Sequence, residues 1–304
     1  MLVRNPLTAR VISGQSTRSV SSAHTHSPSG ARPDEQPERH RSSLSLPEPR
    51  SIIIGVIVYG IAMYIGYEYI SSNFIQPRSV GQQPEERIIM QPVDTTPVYE
   101  KIAKEYDSKI WLEELVSYIW WFRRKLARNA KGDVLEVACG TGRNIKYLPM
   151  SRITSITFLD SSEEMLQITL DKFQKKFPNV SEVQFVKAKA ENLAEVDTSG
   201  QKFDTIMESF GLCSHEDPKL VLQNMRQLLK PNGRIVLLEH GRSTSQTTNV
   251  RMDRNAEKRL KEWGCRYNLD IDEIVQSTGL EIVDSGRYQF GTTYYYVLKE
   301  PGAK

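Results

Sequence analysis

The chain has 304 residues, enough for one catalytic-size domain with accessory segments. Lys+Arg 40 against Asp+Glu 37 leaves a formal charge of +3, too balanced for a protein that binds nucleic acid through bulk electrostatics. Its three cysteines, Cys139, Cys213 and Cys265, form no CxxC pair and have no histidine at metal-binding spacing, so neither a zinc site nor a disulfide framework is expected and the thiols read as free.

Before Asp34 the chain carries Arg4, Arg10, Arg18 and Arg32, many Ser and Thr, and no acidic residue, the balance of a mitochondrial presequence. Residues 1–50 are therefore read as a presequence and basic segment rather than as fold. Arg18-Ser19-Val20 would suit processing, and a plain disordered basic tail is the alternative.

The stretch 51–70, SIIIGVIVYGIAMYIGYEYI, holds no charge from Ser51 to Tyr67. As a helix, Ile52 to Ile70 would be about 28 Å long, against a hydrocarbon core of roughly 30 Å. It is predicted to be a single transmembrane helix, with Tyr64, Tyr67 and Tyr69 at the interface. Four arginines (32, 39, 41 and 50) precede it and Arg78 and Arg87 follow, so the positive-inside rule puts the N-terminus in the matrix and the large C-terminal part in the intermembrane space. Pro77, Pro84, Pro92 and Pro97 mark 71–97 as a linker, which would hold the domain within about 30 Å of a bilayer.

From residue 98 to 304 apolar runs alternate with helical ones. DVLEV, SITFLD, VQFVKA, FDTIME and RIVLLEH read as strands, with helices near 110–129, 142–149, 162–177, 217–230 and 267–278. Such alternation predicts an α/β domain with a parallel sheet covered on both faces, and LEIVDSGRYQF followed by TTYYYVLKE predicts a terminal antiparallel pair. In 111–128, WLEELVSYIWWFRRKLAR, residues 115, 119, 122 and 126 fit a stripe packed on the sheet. The aromatics beside Arg123, Arg124 and Lys125 equally suit a helix on an anionic membrane or a lid over an apolar substrate.

The chemistry concentrates at strand ends. EVACGTG (136–142) is a strand running into Gly140 and Gly142 and then a helix expected from about Arg143, a concavity of backbone N–H groups suited to a nucleotide. Ile145 stands where a dinucleotide fingerprint needs its third glycine, which weakens a pyrophosphate reading. Asp160 ends the second strand, 18 residues after Gly142, where a carboxylate can accept from ribose hydroxyls; the alternative for DSSEEM is a helix cap through Ser161 or Ser162.

EVACGTG has the shape E-x-A-x-G-x-G, and with FLDSSEEML, AKAENL, FDTIMES and LLKPNGRIVLLEHG it resembles the class I S-adenosylmethionine-dependent methyltransferases of the methyltransferase-11 group over roughly 99–300. The presequence, the single span, EWGCRYNLDI and QFGTTYYYVLK narrow the resemblance to the fungal mitochondrial inner-membrane methyltransferase-like (OMS-type) family, and YEKIAKEYDSKI resembles the ubiquinone-pathway C-methyltransferases.

This resemblance implies a Rossmann-like seven-stranded sheet and S-adenosyl-L-methionine held by Glu136, Ala138, Gly140, Gly142, Asp160, Ser161, Ala190, Glu191 and Glu208. Ala138 stands at the motif's usual first glycine, and Lys189 stands where the family has Asp, so adenine recognition passes to Glu191 or to the Ala190 backbone. Tyr99 and Tyr106 are candidates to close over the cofactor.

Methyl transfer needs a base only where the acceptor must lose a proton, and His215 and His240, each after a strand end, are the candidates. The expected acceptor is a lipid, quinone, other small lipophile or membrane protein. The competing class is a methyltransferase fold kept as an assembly factor for an inner-membrane complex. No metal site is expected.

Overall fold

The computed structural model describes residues 49–70, 90–193 and 201–303. The presequence reading of 1–48 and most of the linker reading of 71–97 lie outside them. The chain divides into an N-terminal unit, of which only helix α1 (Pro49–Ile70) is described, and a C-terminal unit from residue 72 onward.

Among the described residues no helix is long and apolar enough to cross a membrane. The described side chains of α1 run from Ile53 to Gly66. They are apolar and largely exposed, Ile53, Ile57, Tyr59 and Ile65 among them.

The C-terminal unit is built on one seven-stranded sheet. Its strands are β1 (Gly132–Val137), β2 (Ile153–Asp160), β3 (Val183–Lys187), β4 (Phe203–Ser209), β5 (Leu229–His240), β6 (Glu281–Tyr288) and β7 (Thr293–Lys299). They lie in the order β3-β2-β1-β4-β5-β7-β6, with β7 the one strand antiparallel to its neighbours and all other contacts among β1–β5 parallel. The order reverses beside β1, which places a crevice at the carboxyl ends of β1, β2 and β4.

Period-two alternation divides the inner strands between two cores. Leu135, Ile235, Leu237, Tyr294 and Tyr296 face one side, packed with α5 (Pro218–Gln227) and α7 (Ile271–Gln276). Val134, Val236, Leu238, Tyr295 and Val297 face the other, with α3 (Ile119–Ala127) and α4 (Glu163–Lys176). This explains why the strands read as continuous apolar runs.

Three helix expectations change. The single helix at 110–129 is two, α2 (Thr96–Val116) and α3, broken at Tyr118, whose φ is 57°. The Gln289 side chain donates to the Ser117 carbonyl at the break. The stripe therefore splits: Ile119, Phe122 and Leu126 are buried under the sheet, while Leu115 is exposed with Trp111, Leu112, Val116, Tyr118, Trp120 and Trp121.

The helix expected at 142–149 is a turn and one short 3-10 segment, Ile145–Tyr147. Pro149 pushes Leu148 to an extended ψ of 128°, so the turn cannot propagate. Helix α6 (Gln246–Trp263) was not apparent in sequence because its surface is almost wholly polar, with only Asn249, Met252 and Ala256 buried.

Candidate active site

At the end of β1 the chain reverses through left-handed conformations at Ala138 (φ 48°), Gly140 (φ 55°) and Gly142 (φ 70°). An L-residue there costs about 1–2 kcal/mol, which gives a physical reason for the glycine that resembling proteins carry at the Ala138 position. A side chain on Gly140 would enter open space, so its backbone faces a cavity directly. Gly142 is different: a Cβ would lie 2.5 Å from Ile145 Cδ1 and 3.0 Å from Thr169 Oγ1, so this glycine serves close packing of the turn.

The turn is held from β2. Asp160 is buried, its Oδ2 accepting from Gly140 N at 2.7 Å and its Oδ1 from Ser162 N at 2.9 Å. Burial raises its pKa, and the two N–H donors offset only part of that. A carboxylate has about four acceptor sites, so two remain for a ligand. Ser162, not Ser161, caps α4 by accepting from Met165 N, which leaves Ser161 to the cavity, where Thr96 donates to it at 3.0 Å.

Beyond β3, Lys189 pairs with Glu216 at 2.7 Å and Asp94 at 3.0 Å, and Glu191 Oε1 accepts from the N–H of Glu216 at 2.7 Å.

The β4 wall turns at Phe210 (φ 58°) into Gly211, where a Cβ would stand 2.1 Å from Glu208 Oε1 and 2.8 Å from Ala138 Cβ. Behind it His215 Nε2 meets Glu208 Oε1 at 2.5 Å. Burial pulls the His215 pKa down, but the Glu208 carboxylate outweighs it and the net shift is upward.

The cavity bounded by these groups encloses about 820 Å³ of empty space, part of it open solvent. It takes in Ala138, Gly140, Asp160, Ser161, Ala190, Glu191 and His215 of the residues singled out in sequence. The others lie elsewhere. Gly142 packs the turn, Glu208 stands behind His215, and Glu136 is buried beneath, with Oε1 accepting from Asn144 at 2.9 Å and Oε2 without a partner. Burial pushes the Glu136 pKa up to about 7, against the opposing Asn144 hydrogen bond. His240 opens onto a second cavity.

Tyr99 and Tyr106, expected to close over the cofactor, do line the cavity, whereas the segment just before them was read only as linker. Asp94, Thr95 and Thr96, at the end of that segment, line the cavity with them and complete the lid. Thr95 Oγ1 donates to the Ser214 carbonyl at 2.9 Å, and the Tyr99 hydroxyl meets Ser214 Oγ at 2.6 Å, tying α2 across to the β4 loop.

Sequence reasoning missed the buried network below. Arg123 donates to Glu114 (2.7 Å), Asn144 (3.0 Å) and Ser209 (2.9 Å), and Arg143 joins Glu114 to Asp107. The charges in 111–128 gave a signal for polar partners, but the break at Tyr118 that brings Arg123 to Glu114 did not show.

The second cavity, with about 1,220 Å³ of empty space, shares Tyr99, Tyr106, Arg123 and Phe210 with the first. Met252, Trp263 and Tyr267 add to its apolar wall.

A crevice at the switch point, a glycine cradle and a strand-end carboxylate can bind a nucleoside-containing cofactor. Residues 88–279 match the ubiE/COQ5 methyltransferase family. The chain belongs to that family.

Among its relatives, the mitochondrial methyltransferase OMS1 of Saccharomyces cerevisiae is 48% identical over 239 residues, covering 75% of this chain and 51% of the yeast protein. This chain thus spans about half of that relative's length. A ubiquinone/menaquinone biosynthesis C-methyltransferase UbiE of a Marinomonas species is 29% identical over 186 residues, 58% of this chain and 70% of its own. A Thermotoga maritima methyltransferase structure superposes with a TM-score of 0.51 at 17% identity, over 68% of this chain and 99% of that one, and agrees on the fold.

Fold and family are those of S-adenosylmethionine-dependent methyltransferases. The residues fit that cofactor: Gly140 leaves an open backbone cradle, and the buried Asp160 carboxylate at the rim keeps free acceptor sites for hydroxyl donors.

Proposed function

We propose that the chain is a membrane-tethered mitochondrial methyltransferase acting on a lipophilic, ring-bearing acceptor of lipid or quinone type. The observation that carries the acceptor class is the second cavity, walled by Tyr99, Tyr106, Phe210, Met252, Trp263 and Tyr267 and sharing its partition with the cofactor cavity. The mitochondrial placement is supported by the yeast relative's name and by the arginine-rich, acid-free start. Quinone chemistry is supported by the names of the bacterial relatives.

In this reading residues 1–50 are the presequence, 51–70 the inner-membrane span, 71–97 the tether and 98–304 the catalytic domain, with the N-terminus in the matrix. The exposed side chains of Trp111, Leu112, Leu115, Val116, Tyr118 and Trp121, followed by Arg124 and Lys125, support a domain face resting on an anionic bilayer, from which a lipophile would enter.

Gly140, Asp160, Ser161, Ala190 and Glu191 would hold the cofactor, with Ala138 shaping the turn. When bound, it supplies a methyl group on a sulfonium centre. The chain's own contribution is alignment, which can supply roughly 7–11 kcal/mol of a displacement barrier. The tie from Thr95 and Tyr99 to Ser214 would hold α2 over the bound cofactor. His215 donates from Nε2 to Glu208, so Nδ1 of the neutral ring is the nitrogen available to take an acceptor proton. Glu136 and Glu208 support the site from beneath.

The test is titration calorimetry of S-adenosylmethionine and S-adenosylhomocysteine into the full chain in detergent, with Asp160→Asn as control, followed by methyl transfer to quinol and phenol acceptors of graded chain length. Binding that weakens at least ten-fold in the variant, with turnover rising with acceptor lipophilicity, is expected. Turnover indifferent to lipophilicity would refute the acceptor class.

A further inference from the structure

Cys213, His240 and Cys265 are 25 to 52 residues apart in sequence, yet their ligating atoms meet in one corner of the second cavity. His240 Nε2 lies 2.9 Å from Cys265 Sγ and 3.1 Å from Cys213 Sγ, and the two sulfurs are 3.0 Å apart. Both cysteines are buried and free. Cysteine spacing in the sequence excluded a metal site because it tests only local pairs, whereas three separate loops assemble this one.

The cluster is also held in place. Cys213 sits on the turn fixed by Gly211 N and Leu212 N donating to the buried Glu239 carboxylate, at 3.3 and 3.2 Å. Arg266 N donates to the Cys213 carbonyl at 2.9 Å, pinning the segment that carries Cys265. Gly264, left-handed at φ 61° at the end of α6, turns the chain there, and a Cβ on it would lie 2.9 Å from Tyr99 Cε2. His240 ends β5, with its ring against Phe210 at a centroid distance of 5.3 Å.

We propose that Cys213, Cys265 and His240 form a three-ligand site for a thiolate-seeking divalent cation of the zinc type, its fourth position open to the second cavity. Two sulfurs and an imidazole are the donor set of open tetrahedral zinc sites. Two thiolates and a neutral imidazole exactly balance a dication, so a buried charge is not created; binding releases two protons, one from each thiol.

Tetrahedral bonds of about 2.3 Å put two sulfurs roughly 3.8 Å apart, so the thiols would separate by under about 1 Å on loading. The cation would stand in the wall of the cavity that Thr248, Met252 and Tyr267 also line, where an oxygen or sulfur of a cavity occupant could take the open position.

The test uses the full chain in detergent, reduced, stripped with chelator and titrated with Co²⁺ and then Zn²⁺. One equivalent of Co²⁺ should give thiolate-to-metal absorption and tetrahedral visible bands that Zn²⁺ abolishes. Cys213→Ser, Cys265→Ser and His240→Gln should each lose the bands, whereas Cys139→Ser keeps them. In the wild-type chain Zn²⁺ should slow alkylation of Cys213 and Cys265 at least ten-fold while leaving Cys139 unchanged, a readout that needs no variant to fold. Absence of a thiolate band in a chain of native circular dichroism would overturn the site. So would bands surviving in the Cys213→Ser/Cys265→Ser variant, or alkylation indifferent to Zn²⁺.

Discussion

Replacing Glu136 with Gln should remove a loss of stability that the protein otherwise suffers as pH rises. The Glu136 side chain is 1% exposed, has one hydrogen-bonded oxygen and one without a partner, and its carboxyl is raised from 4.5 to about 7 chiefly by burial. Between those values the folded state keeps a proton that the unfolded chain has lost, so stability falls as pH rises, by about 1.4 kcal/mol per unit. The rise to about 7 therefore costs on the order of 3 kcal/mol by pH 8.

Gln has the same shape, can still accept from Asn144, and cannot ionise. At pH 5, where the native carboxyl is protonated, Gln should be the less stable by about 1–3 kcal/mol, since the acid buries one unpaired donor and the amide two. The assay is urea unfolding of the full chain in detergent, followed by tryptophan fluorescence at half-unit steps from pH 5 to 8. Subtracting one curve from the other removes the slope that His215, whose pKa is also raised, adds to both. Parallel curves would refute the claim that an ionised Glu136 is carried at a cost.

If His215 takes the acceptor proton, the rate should rise with pH through a midpoint above 6.5, because Glu208 raises the histidine pKa. In pH profiles of turnover, His215→Gln should lose that limb and Glu208→Gln should move it downward. Gly211→Ala should weaken cofactor binding at least ten-fold by calorimetry, because the new methyl must displace Glu208 Oε1 and Ala138. In anionic vesicles containing brominated acyl chains, tryptophan fluorescence of the full chain should be quenched through the exposed Trp111 (55%), Trp120 (39%) and Trp121 (48%). Trp111→Phe/Trp120→Phe/Trp121→Phe should reduce that quenching to near background, and unchanged quenching would remove this face from the bilayer.

The sheet and the glycine turn beside Asp160 were legible in the chain before any packing was known. Strand character is local: the alternation that divides Tyr294 and Tyr296 from Tyr295 shows as an unbroken apolar run, and it survives any long-range arrangement. The glycine turn and Asp160 were legible for the same reason, since left-handed backbone at Gly140 and a carboxylate at a strand end are set within a few residues of chain.

The helix after the turn was misread because Pro149 acts on Leu148 through sterics that hydrophobic periodicity does not register. What the tertiary structure alone decided is everything that depends on chain crossing chain. Thr95 reaches Ser214 across 119 residues to make the lid, the break at Tyr118 brings Arg123 back to Glu114, and loops from three strand and helix ends gather Cys213, His240 and Cys265. Residue type names the chemistry available at each of these positions, but only the packing of the sheet against its helices brings the partners within bonding distance.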